Sequence, residues 1–222
     1  MKKSNFLFFL FFFTVSSTLH AQWWGKSVRG EGPKVTKTLD LEKITGIGVC
    51  IGGEVHLSQG KKQKVEIKAQ KNIIELLEKD VRGGKWNIEL EDNISLKGHD
   101  GIDIYITLST IEELSIAGSG SITGETDFRN VDDLEVSIAG SGDVHLEGDG
   151  DDLEISIAGS GDVKLDDFAV NDCEVNIAGS GECDVHVNGR LEVSIAGSGD
   201  VRYKGSPRVK SQIMGSGDVR SY

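Results

Sequence analysis

The eight residues Ser-Ile-Ala-Gly-Ser-Gly-Asp-Val stand at Ser137–Val144, at Ser156–Val163 and again at Ser194–Val201. Looser copies bring the Gly-Ser-Gly triplets to six, with first glycines Gly118, Gly140, Gly159, Gly179, Gly197 and Gly215, spaced 22, 19, 20, 18 and 18 residues apart. Such a period restricts the chain to a solenoid or an array of small units. Each triplet is preceded by alternation, as in Leu134–Ile138, and followed by it, as in Asp143–Leu146. Period two is the strand periodicity, and it sends Leu134, Val136, Ile138, Val144 and Leu146 inward. The glycines reach backbone conformations closed to other residues, so the chain can turn a corner in every repeat.

Hairpins are the competing reading, but their two-residue turns favour Asn-Gly or Asp-Gly and do not require a nearly invariant corner. Stacked parallel coils do require it, because at a spacing of about 4.8 Å each corner rests on the identical corner of the next coil. The expected fold is therefore all-β, a parallel β-helix-like solenoid of roughly 20-residue repeats with Gly-Ser-Gly corners and a continuous aliphatic column inside. Segments 147–152, 166–172 and 188–190 differ in length and are expected as loops along one edge.

Before this domain, Lys2 and Lys3 precede the apolar run Phe6–Val15, and Ala21 offers a small residue for cleavage. This is the pattern of a secretory signal peptide. A membrane anchor, the alternative, needs about 20 mostly apolar residues, and residues 14–18 are already polar. The expected plan is a signal peptide over 1–21, a linker over 22–38 and one solenoid domain over 39–222. Within that domain, 39–110 form irregular coils and 111–222 carry the six repeats. Removing Lys2 and Lys3 takes the net charge from -12 to -14. An acidic surface without a basic cluster repels phosphate backbones, so nucleic acid is not an expected partner. No later apolar run is long enough for a transmembrane segment, and the expected location is the periplasm, the cell surface or the medium.

In the first half, Gly48–Leu57 reads as a worn repeat with one residue fewer at its corner. Residues 64–69, 85–90 and 102–107 alternate like strands, and 72–80 fits a short turn of helix or an irregular strand, suited to capping one end of the stack. Tyr222 follows the last triplet by five residues, so the final coil reads as unfinished.

From the export signal through "ITGIGVCIGGEVHLSQG", "VEIKAQKNIIELLEKDVRGGKWNIEL" and "IDIYITLSTIEELSIAGSG" to the run of "GSGDV" copies, the order of parts resembles the bacterial head GIN domain family, whose members are described as autotransporter adhesins. The resemblance covers about Leu39 to Tyr222. It implies a right-handed, parallel β-helix-like fold and a cell-envelope setting, and it brings no catalytic residues.

Outward positions form columns along such a stack. Before the corner, Glu113, Glu135, Glu154, Glu174 and Glu192 align, ending in Lys210; beside them run Ser115, Ser137, Ser156, Asn176, Ser194 and Gln212. Like charges one coil apart repel by about 0.9 kcal/mol in water. Either a divalent cation such as Ca²⁺ binds the column Glu135, Glu154, Glu174 and Glu192, since Ca²⁺ takes carboxylate oxygens, or the side chains splay into screening solvent. After the corner, Asp143, Asp162, Asp200 and Asp218 align, followed two residues on by His145, Lys164, Arg202 and Arg220. Adding Asp184 and His186 to these columns makes Glu182 and Cys183 an insertion.

Cys173 and Cys183 fall on apolar parity, either as buried free thiols or as a disulfide in an oxidising compartment. Cys50 falls on polar parity as an exposed thiol. His145 and His186 lie two coils apart, about 10 Å, too far for shared zinc at about 2 Å. No Lys or helix follows Gly118 to make a phosphate loop. The expected function is that of an exported, non-catalytic solenoid, an adhesin-like binding or structural module that self-associates or meets an envelope protein or glycan. The alternative is a polysaccharide-binding or polysaccharide-cleaving β-helix, and cleavage would need two carboxylates about 5 to 9.5 Å apart in a cleft.

Overall fold

A computed structural model describes residues 26–222; the signal-peptide reading lies outside them. The described chain is nearly all β, 3% helical, and winds as a β-solenoid of about five turns. The corners explain its glycines. The N–H of Ser141, Ser160, Ser180, Ser198 and Ser216 each donates to the first-glycine carbonyl of the preceding coil at 2.8 Å, so backbone lies directly on backbone. At Gly159, φ is +135° and a Cβ would stand 2.2 Å from the Gly140 carbonyl oxygen. The corner therefore needs glycine both for its left-handed backbone and for its close approach.

Two parallel ladders run from these corners. Before the corner, Glu113–Gly118 pairs with the end of Phe128–Gly140, and the register continues through Asp143–Gly159, Asp162–Gly179 and Glu182–Gly197 to Arg208–Gly215. After the corner, Ser121–Gly124 pairs with the start of Asp143–Gly159, and the ladder ends in Asp200–Gly205 and Asp218–Ser221. Inward residues stack on like residues, as in Ile116, Ile138, Ile157, Ile177 and Ile195, and all five are buried.

The segments expected as edge loops are strand instead. Asp143–Gly159 and Asp162–Gly179 each run without interruption from one triplet to the next, because a neighbouring coil supplies ladder partners for the whole circuit. Register shifts between His145 and Glu147 and between Leu165 and Ala169 absorb the length differences. Phe128 and Phe168 are consequently core residues, each 0% exposed. Residues 26–28 and 34–38, within the segment 22–38 read from sequence as linker, are in strands, the second of them Lys34–Leu39.

The N-terminal coils stack out of chain order. Gly46–Val49 lies between Glu113–Gly118 and Lys85–Ile88, and Glu54–Gln59 lies between Ser121–Gly124 and Asp103–Leu108. This register corrects the expected deletion: Cys50–Gly53 and Ala117–Gly120 are corners of equal length. Beyond them the stack is closed by the antiparallel strands Lys64–Gln70 and Lys34–Leu39 and by the short helix Lys71–Glu75, whose Ile73 and Ile74 are buried. Trp86 is also buried there, its Nε1 donating to the Glu78 carbonyl at 3.1 Å.

Cys173 and Cys183 are free and buried, and Cys50 is free and exposed. Burial pushes both core thiols well above their ordinary range, which suppresses the nucleophilic thiolate. A thiol titration of the native protein is therefore expected to count one accessible group, Cys50, and three only after denaturation. A count of one in denaturant would mean that the core pair is oxidised.

Candidate functional site

The pre-corner ladder places the predicted acidic column in register: Glu113, Glu135, Glu154, Glu174 and Glu192 lie side by side, with Lys210 last. Their oxygens do not converge. Among the described residues no three His, Cys, Asp or Glu side chains gather as ligands for a metal ion; Glu135, Glu154, Glu174 and Glu192 stand in a row, one to each coil. Glu154 apart, each glutamate of the row has a local partner. Ser137 Oγ donates to Glu135 at 3.3 Å and Asn176 Nδ2 to Glu174 at 3.0 Å. Lysines close the row at both ends, Lys210 against Glu192 at 3.2 Å and Lys85 against Glu113. Lys85 was hidden from sequence reasoning because the strand carrying it stacks beyond Gly46–Val49, far from its place in the chain order.

A second row was also missed. Asp133, Asp152 and Asp172 align and pass into Arg190 and Arg208. The signal was the repeated Asp-Asp-Leu at residues 132–134 and 151–153, but Asp152 and Asp172 fell in the segments 147–152 and 166–172 expected as loops. The two acidic rows flank the inward column Leu134, Leu153 and Cys173 and line an open groove of about 770 Å³. Beyond the glutamates, Ser115, Ser137, Ser156 and Ser194 run beside Ala117, Ala139, Ala158 and Ala196. This flat strip has no charged side chain from Ser115 to Ala196.

The post-corner face differs from expectation at one coil. Glu182 pairs with Asp162 and Asp200, Cys183 with Val163 and Val201, and Asp184 with Lys164 and Arg202. There is no insertion, and Glu182 is the member of the aspartate column. Asp184 thereby stands among the bases, 5% exposed, and takes a two-pronged contact from Arg202 Nε at 2.6 Å and Nη2 at 2.7 Å. Lys204 bridges Asp166 at 2.8 Å and Asp167 at 3.0 Å, holding the Asp166 carboxyl below its ordinary range. Tyr222 lies under both cations, its ring centre 5.7 Å from Arg202 Cζ and 5.5 Å from Lys204 Nζ. His56 is occupied as well, its Nδ1 2.7 Å from Glu125 and its ring stacked on Tyr105.

These features define a class: a β-solenoid whose outer faces are straight rows of repeated side chains. A family model described as "Putative auto-transporter adhesin, head GIN domain" matches residues 44–207, and the chain belongs to that family. Among solved structures, the chain is similar to a "putative adhesin" from Bacteroides fragilis, at 20% identity and a TM-score of 0.73, over 88% of this chain and 100% of the other. It is also similar to a "Putative lipid binding protein" from Parabacteroides distasonis, at 23% identity and a TM-score of 0.63, over 89% and 100%. A third likeness, to a "putative adhesin" from Parabacteroides merdae, has 18% identity and a TM-score of 0.53, over 88% and 99%. At these identities the likeness is one of fold. A comparison with curated proteins finds no match. Among the described residues no helix is long and apolar enough to cross a membrane.

Proposed function

We propose that this protein is an exported, non-catalytic scaffold of the bacterial envelope that binds by adhesin-like, repeated contacts. Three partner types fit this reading: another copy, an envelope protein or a glycan. The observation that carries it is the unbroken register of the outer rows: from Ser115 to Ala196 successive coils offer the same Glu, Ser and Ala side chains, with Asn176 alone standing in for Ser. A row repeating about every 4.8 Å gives a repetitive partner many equivalent weak contacts, which add through effective concentration. Membership of an adhesin family supports the envelope setting.

The full chain, expressed in a bacterium, is expected in the envelope or medium without residues 1–21. Purified protein is expected to bind polysaccharide without raising the number of reducing ends. An intact chain retained in the cytoplasm would defeat the export reading, and steady release of reducing ends would defeat the non-catalytic one.

A further inference from the structure

Charge is unevenly distributed along the stack. Residues 111–222 carry 23 Asp and Glu against eight Lys and Arg. At the capped end the balance reverses. The antiparallel strands Lys34–Leu39 and Lys64–Gln70, with the turn 60–63 that leads into the second of them and the first helical residue, carry seven lysines against one acid, Glu66. All the lysines but Lys34 are exposed. Lys34 pairs with Asp103 at 3.1 Å, Lys64 with Glu66 at 2.6 Å and Lys71 with Glu75 at 3.9 Å. Among the described residues, Lys37, Lys61, Lys62 and Lys68 stand outside these ion pairs. The expected surface without a basic cluster is corrected here, because strand pairing brings residues 34–37 beside 61–71.

Distance decides what an approaching charge feels. From Lys34–Leu39 the sheet passes through Lys64–Gln70, Asp103–Leu108 and Glu54–Gln59 before it reaches Ser121–Gly124 in the repeats. Four ladder steps of about 4.8 Å make about 19 Å, whereas charges in water are screened beyond about 8 Å at physiological ionic strength. An anionic surface met end on therefore feels the lysines, with the acidic repeats more than two screening lengths behind them. The same surface met side on is repelled by the repeats.

We propose that the capped end of the solenoid docks onto the surface of a bilayer containing anionic phospholipid, with the repeats standing away from it. The inference uses the envelope setting proposed above and adds a second surface to the repeated rows. A plane of headgroups suits the geometry better than a single anion does. Lys64 and Lys68 share one side of their strand about 13 Å apart, Lys61 and Lys62 extend the cluster through the turn, and Lys37 lies on the other side of the sheet, in register with Ile67. Val35 shares the side of Lys37 and is 39% exposed, an apolar contact beside the cations.

Protein recovered from the envelope or medium is expected to cosediment with vesicles of phosphatidylcholine and phosphatidylglycerol at about 0.1 M salt and to be released at about 1 M, where the screening length falls to about 3 Å. Vesicles of phosphatidylcholine alone are expected to leave it in solution. Lys61→Ala with Lys62→Ala removes two unpaired cations from an exposed turn and is expected to weaken binding about 25-fold, about fivefold for each charge. Lys164→Ala with Lys210→Ala removes the same charge from the repeats and is expected to change binding by less than about twofold. Equal binding to both kinds of vesicle, binding to neither, or equal losses in the two double variants would overturn the proposal. Binding abolished by millimolar inorganic phosphate at constant ionic strength would overturn it too, since that would mean a discrete anion site. A protein that ignores the vesicles but still binds polysaccharide overturns docking at the cap and leaves the scaffold reading standing.

Discussion

Gly159→Ala is expected to destabilise the protein by about 4 kcal/mol or more, a loss that single substitutions rarely reach. Two effects add at this corner. The backbone holds φ at +135°, and the new Cβ would meet the Gly140 carbonyl oxygen at 2.2 Å. That oxygen cannot retreat, because it accepts the Ser160 N–H at 2.8 Å and belongs to a corner stacked on the coil before it. Gly118→Ala separates the two effects. Gly118 has a comparable φ of +121°, but a Cβ there meets nothing within 4 Å, so only conformational strain of about 1–3 kcal/mol remains. Denaturant midpoints of the two variants give the comparison. Equal losses would mean that backbone conformation, not stacking, makes these corners glycine. Against a typical domain stability of about 5–15 kcal/mol, the Gly159 variant sits near the edge of folding.

The second large effect is expected at Phe168, where truncation to alanine costs about 3–5 kcal/mol. Phe128, Gly148 and Phe168 occupy the same position in three successive coils, large, absent, large. Gly148 cannot carry a side chain, because its Cβ would fall 1.8 Å from the Phe128 carbonyl oxygen. The neighbouring rings therefore fill the space, and the Phe168 ring reaches to 3.2 Å from the Cβ position of Gly150. Removing that ring opens a hole that stacked backbone on either side cannot close. At about 2–4 °C per kcal/mol for a chain of this size, the midpoint of thermal unfolding is expected to fall by about 6–20 °C. A loss below about 1 kcal/mol would place Phe168 at a yielding edge instead of in the core. The same aromatic at a true edge loop would have been dispensable, so this measurement separates the loop expectation from the strand that the structure shows.

The repeated half was legible because its determinants are local in the chain. Alternation put Val136 and Ile138 inside and Glu135 and Ser137 outside, and the recurrence of the triplet aligned each corner with the next. The acidic column from Glu113 to Glu192 followed from those two facts. Misreadings arose where partners lie one coil away. Residues 147–152 carry no strand pattern of their own and become strand only because the adjacent coils offer hydrogen-bond partners along their length. The Asp133, Asp152 and Asp172 row was lost with them. Glu182, read as an insertion, shifted Asp184 into the wrong column and hid its pairing with Arg202.

Residue by residue, then, the sequence determined period, parity and corner, because a β-coil expresses these within about 20 residues and stacking only multiplies them. Tertiary structure alone decided the order of the first coils. Gly46–Gln59 is sandwiched between strands that come later in the chain, and no local pattern states which of several equivalent edges a strand will join. The same non-local pairing brought Lys85 to Glu113 and closed one end of the stack with antiparallel strands. Each of these outcomes depends on which backbone edge remains free once the other coils are in place.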